Sequence, residues 1–162
     1  MGITLKETEQ KVMQDLKLKQ VTVGQTNARN AIFFQLQNPT SVFLNRFEIE
    51  AEVTEQGEKQ VLYKASQKNM QVAPNSHFSY PIALKGERFK PGKYTLHLKA
   101  KSSEENWVFT KNFQIDREKA SHLNKMDVEL EENDFSKWWI VMIVSGVILL
   151  FVLFFNLAKK KA

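Results

Sequence analysis

A period of two runs through most of this chain. Phe47, Ile49, Ala51 and Val53 are apolar, and Glu48, Glu50 and Glu52 stand between them. Successive side chains of a strand leave on opposite faces, so this segment has one face to bury and one to keep wet. Phe78, Tyr80, Ile82 and Leu84 repeat the pattern, as do Tyr94, Leu96, Leu98 and Ala100 with His97 and Lys99 pointing the other way. Trp107, Phe109, Phe113 and Ile115 share a third register, in which Lys111 is the polar exception. Val61 and Tyr63 predict a shorter strand. A chain patterned like this buries its apolar side by stacking sheets, not helices.

Two earlier segments are less regular. Leu16 and Leu18 share a face, but Val21 and Val23 have the opposite parity, which predicts a bulge or strand switch near Lys19-Gln20. Ala31 to Leu36 is apolar on both faces. Its Phe33 side therefore needs cover, from a partner or from a loop of the same domain. Turn chemistry separates the runs at Asn38-Pro39, Gln56-Gly57, Ala73-Pro74-Asn75-Ser76, Lys85-Gly86 and Pro91-Gly92. Seven short strands over residues 12–115, after a lead-in at 1–11, predict an all-β fold, an immunoglobulin-like β-sandwich with Trp107 in its core.

The pattern changes at Asp116. Residues 116–137 are charged and place Ala120, Leu123, Met126 and Leu130 at helical spacing, which predicts a short helix or stalk. The acidic stretch from Asp127 to Asp134 is expected to keep that spacer hydrated. Residues 138–158 then carry no charge at all. As a helix they would extend roughly 31 Å, enough for a hydrocarbon core of about 30 Å. Ser145 and Asn156 give the stretch after the tryptophans no polar face, unlike a surface helix. Trp138 and Trp139 suit an interfacial belt, and Lys159, Lys160 and Lys161 in the basic tail at 159–162 suit a cytoplasmic end. The expectation is a single C-terminal transmembrane helix with the body outside.

Composition narrows the function. The net charge of +5 is modest, and nothing beyond it suggests nucleic-acid binding. Lys85, Arg88, Lys90 and Lys93 gather around one predicted turn, where they suit either an anionic wall polymer or plain solvent. There is no cysteine, so disulfides are excluded. The histidines His77, His97 and His122 are scattered, without metal-ligand spacing. No G-x-S-x-G, P-loop or G-x-G-x-x-G occurs, and Glu48, Glu50 and Glu52 fit the solvated side of a sheet. The expectation is a binding module with no catalytic residues, no cofactor and no metal. No secretory signal follows Met1, so the body is either part of a longer exported protein or cytosolic and tail-anchored.

The words in the turns carry a resemblance. Leu36-x-Asn38-Pro39, Ala73-Pro74-Asn75-Ser76-x-Phe78, Lys90-Pro91-Gly92-x-Tyr94, Trp107-x-Phe109, Phe113-x-Ile115 and Ala120-x-x-Leu123-Asn124 follow one another in this order. With the apolar run and its lysine tail, they resemble the C-terminal, host-binding domain of the WxL-interacting proteins of low-GC Gram-positive bacteria. The likeness covers residues 12–162. It implies a membrane-anchored, extracytoplasmic protein without enzymatic activity, whose partners are WxL-domain surface proteins or host extracellular-matrix proteins. The family's N-terminal, peptidoglycan-associated half and signal peptide have no counterpart here, which suggests a truncated or split reading frame. No site residues follow from the resemblance, so Phe33 and the four basic residues at 85–93 stand as partner-binding candidates. Two other readings compete: a cytosolic tail-anchored adaptor with a major-sperm-protein-like sandwich, and a wall-glycan-binding sandwich.

Overall fold

A computed structural model describes residues 12–130 and 142–146. Seven strands lie in the first stretch: β1 (Lys17–Thr26), β2 (Arg29–Asn38), β3 (Leu44–Glu55), β4 (Val61–Val72), β5 (Ser76–Ala83), β6 (Gly92–Lys101) and β7 (Asn106–Ile115). Helix α1 (Arg117–Met126) follows. The strands form two antiparallel sheets, ordered β1-β2-β5 and β4-β3-β6-β7. β4 therefore pairs with β3 and leaves β5 to the smaller sheet.

The alternation decides which side is buried. Ile32, Phe34 and Leu36 of β2 meet Phe47, Ile49 and Val53 of β3 and Leu96 and Leu98 of β6 in a common core. Phe47 is wholly buried and touches two rings, Phe78 at 6.3 Å in an edge-on arrangement and Trp107 at 6.5 Å. Trp107 is half-buried at the margin of this core, packed against it.

The irregularity at the first strand lies where the parity flips. Leu18 pairs with Leu36 and Gln20 with Gln35, which leaves Lys19 as the extra residue of a bulge. Lys111 sits in the inward register of β7, opposite the buried Leu96. Its chain runs out along that apolar wall, and its ammonium donates to the Lys19 carbonyl. Two sheet edges are thereby clipped together.

The strand-end turns use strained backbone. β1 and β2 are joined by Asn27 (φ 50°) and Ala28 (φ 59°), the left-handed pair that a two-residue hairpin demands. Ala28 carries a Cβ in a region that favours glycine. Ala28→Gly is therefore expected to raise stability by about 1 kcal/mol, read as a higher urea midpoint with an unchanged slope.

At the other turn of the core, the Tyr94 hydroxyl donates to the Lys90 carbonyl at 2.8 Å, and its ring stacks on Phe113 at 5.7 Å. Burial, and then Glu55, push the Tyr94 phenol up from its ordinary value. Burial pushes Tyr63 up as well, helped by Glu87, to whose carboxylate the Tyr63 hydroxyl donates at 3.2 Å. In both cases the folded state holds the proton more tightly than the unfolded chain. The stability this gives is complete below about pH 10 and declines as pH rises past it. In an alkaline titration these two phenols should ionise at higher pH in the folded protein than in the urea-unfolded chain, with Tyr63 held back by burial and by Glu87. Tyr63→Phe with Tyr94→Phe should soften the decline in stability.

After β7, the chain does not leave the domain at once. Ala120 on α1 is buried in the core and Leu123 packs against it, while Met126 stays 53% exposed. Asp127 departs from the hydrated acidic spacer expected from sequence. It is 6% exposed because its carboxylate accepts the Asn30 and Glu129 backbone N–H groups, each at 2.8 Å. Paired in this way, a carboxylate loses its need for water.

No helix among the described residues is long and apolar enough to cross a membrane. Residues 142–146 are helical. The rest of the expected span at 138–158, Trp138, Trp139 and the lysines at 159–161 lie outside the described residues, as does the lead-in at 1–11.

Candidate interaction surface

The two sheets turn very different outer faces to solvent. On the larger sheet, Glu48, Glu50 and Glu52 of β3 stand opposite Lys101, Lys99 and His97 of β6, and Glu52 also faces Lys64 of β4. Opposite charges directly across a ladder favour the pairing modestly and leave little net field. The acidic triplet is thus one row of a mixed-charge face, not a converging set of carboxylates. Among the described residues, no three or more His, Cys, Asp or Glu side chains are grouped so as to hold a metal.

The smaller sheet is uncharged only across the middle of its outer face, between the Lys17–Gln37–His77 row at one end and Arg29 at the other. Register places Gln20, Gln35 and Ser79 in one outer row, Thr22, Phe33 and Pro81 in the next, and Gly24, Ala31 and Ala83 in the third. The eight side chains in these rows are uncharged, with Phe33 at the centre, and Ala31 among them is buried. Phe33 is half-buried, and its own sheet supplies part of the cover that the sequence left undecided. A Cβ added at Gly24 would come 3.3 Å from the Phe33 ring, so the ring leans over bare backbone on β1. That support holds the ring down while leaving part of it accessible.

The four basic candidates occupy the β5–β6 connection and the start of β6. All are exposed. Between them, Phe89 is 3% exposed and pins the connection to the core. Lys85 takes a left-handed turn position at φ 54°. It lines one shallow depression with Glu50 and Glu52 and another with Arg29 and Glu129. Lys93 lies at the first rungs of β6, opposite Gln114 of β7.

Sequence reasoning missed the polar groups that shape this end of the domain. Asn124 of α1 accepts the Phe89 N–H at 2.8 Å and donates to the Phe89 carbonyl at 3.0 Å, mimicking a strand neighbour. The Asn30 side-chain amide donates to the Asn124 side-chain oxygen Oδ1 at 2.9 Å, and the Gln25 amide donates to the Leu123 backbone carbonyl at 2.9 Å. A buried amide has no periodic signature, so only the turn words around Asn124 hinted at it.

The chain belongs to the family described as WxL Interacting Protein, host binding domain, whose profile matches residues 1–125. No curated protein matches it in sequence. Among solved structures it is similar to a β-glucosidase from Kluyveromyces marxianus, at 14% identity and a TM-score of 0.37 over 64% of this chain and 14% of that one. It is also similar to the ligand binding region of serine-glutamate repeat protein A of Enterococcus faecium, at 13% identity and a TM-score of 0.36 over 59% of this chain and 89% of that one. Likenesses this distant carry no argument about function.

Proposed function

We propose that the chain is a membrane-tethered, extracytoplasmic binding module of immunoglobulin-like architecture that holds a protein partner and performs no chemistry. The family match over residues 1–125 carries this reading, because that family is described by its interaction with WxL proteins and by host binding. The partner is accordingly a WxL-domain surface protein or a host matrix protein. Strand order and the Tyr94–Lys90 bond support the architecture, since a tyrosine at this corner recurs in immunoglobulin-type sandwiches. The apolar run at 138–158 supplies the tether, with lysines 159–161 inside.

The neutral face centred on Phe33 is the proposed contact. Interface centres are depleted in charge and often built around an aromatic ring, and the middle of this face is uncharged with the Phe33 ring at its centre, while the larger sheet's outer rows are charged. Phe33→Thr keeps the strand propensity and should leave folding nearly intact. It is expected to weaken capture of a WxL-domain protein or matrix ligand about tenfold, roughly 1.4 kcal/mol, in a crosslinked pull-down from cells. Retention on purified cell wall without any protein partner would replace this reading with a glycan-binding one. Protease shaving of intact cells tests the topology: a body that survives until the membrane is broken is cytosolic.

A further inference from the structure

The segment from Leu123 to Leu130 is bonded to two places remote from β7. One is the start of β2, where the Asp127 carboxylate takes the Asn30 N–H and the Val128 N–H donates to the Ala28 carbonyl at 3.1 Å. The other is the Phe89 connection, gripped at both backbone atoms by Asn124. Gln25 ties the Leu123 carbonyl to β1, and Asn30 bridges back to Asn124. The Arg29–Glu129 pair at 3.0 Å adds little, because Arg29 is mostly exposed.

These bonds matter because of where β7 lies. β7 is an edge strand paired with β6 alone, and Ile115 opposite Gly92 is the open end of that hairpin. A pull applied at Ile115 would peel β7 off one rung at a time, the weakest way to load a ladder. β2, by contrast, is the central strand of its sheet, held on both sides by β1 and β5. We propose that Leu123–Leu130 is a mechanical latch that carries tension arriving from the C-terminal side into β2 and the Phe89 connection, and keeps it off β7. The need for such a device rests on the reading that the chain is tethered downstream.

The chain contains no cysteine, so handles can be placed at will on the full-length protein in detergent. With one handle at Met13→Cys, which is 74% exposed, the second goes either at Glu131→Cys, beyond the latch, or at Arg117→Cys, before it. In optical tweezers the unfolding force should be higher through 131 than through 117. Asn124→Ala, which leaves the bonds of Asp127 and Val128 in place, should narrow that difference by lowering the force at 131 while leaving the force at 117 almost unchanged. Should Asn124→Ala fail to fold, Val128→Pro deletes only the bond to Ala28, and Asp127 already has the extended backbone that a following proline requires (φ −79°, ψ 118°). Equal forces at the two handles, or an equal loss at both in either variant, would overturn the latch. Neither result depends on the membrane, so failure of the tether shows in protease shaving and not here.

Discussion

Phe47→Ala should remove about 3–5 kcal/mol from the domain, a large part of the roughly 5–15 kcal/mol that holds a typical domain together. Phe47 is wholly buried between the sheets, and the Phe78 and Trp107 rings close on it from β5 and β7. Truncation loses the transfer free energy of the ring and leaves a cavity that three different strands would have to collapse into. Because those strands belong to both sheets, the gap cannot close by moving one of them. The expected result is a melting temperature lower by roughly 15 °C, with an unchanged urea slope. A drop below about 5 °C would mean that the core repacks far more freely than its closed geometry implies.

Asn38→Ala should cost nearly as much for an opposite reason. Asn38 is fully buried at the end of β2, and all of its hydrogen-bonding capacity is used. Its amide nitrogen donates to the Val42 carbonyl at 2.8 Å and the Ala73 carbonyl at 2.9 Å. Its oxygen accepts from the Thr40 N–H at 3.0 Å and the Thr40 hydroxyl at 2.7 Å. One side chain thus stitches the β2–β3 connection to the β4–β5 turn. Removing it strands two carbonyls and an N–H, each worth about 1–3 kcal/mol if water cannot reach it, so a total near 3 kcal/mol is expected. Hydrogen exchange should then speed up at residues 39–43 and 73–76 while β3 and β6 stay protected until global unfolding. Uniform acceleration would show that the amide stabilises the whole domain and not this corner.

These two residues also mark what the sequence could and could not reveal. Phe47 announces itself, because it opens the clearest alternating run in the chain. The irregularity at Lys19 was legible too, since a parity flip between Leu18 and Val21 called for a bulge or a strand switch, and the register shows the bulge. β4 was not legible at its full length. Its second half, Ser66 to Asn69, is polar and exposed because β4 is a sheet edge, and an edge buries too little to leave an alternating trace. Asn38 was recognisable as a turn residue before Pro39, yet not as a buried hub, because one asparagine reads the same wet or dry. Asp127 failed in the same way, looking like spacer charge when it binds backbone. For the candidate surface, sequence supplied Phe33 but not the neutrality of its surroundings, which depends on the register that sets Pro81 and Thr22 beside it.

The Lys111–Lys19 contact has a consequence for many copies at once. Wherever copies of a domain meet at high local concentration, an open strand edge recruits its neighbour. β7 is ten residues long with no proline and only one charge, a ready template for such recruitment. Turning its single lysine inward, onto the carbonyl that the β1 bulge pushes out, makes any incoming strand compete with a charge in the seam. The same bulge that a sequence reader meets as a break in rhythm thus joins the β1 and β7 edges and leaves less of that seam open to another strand.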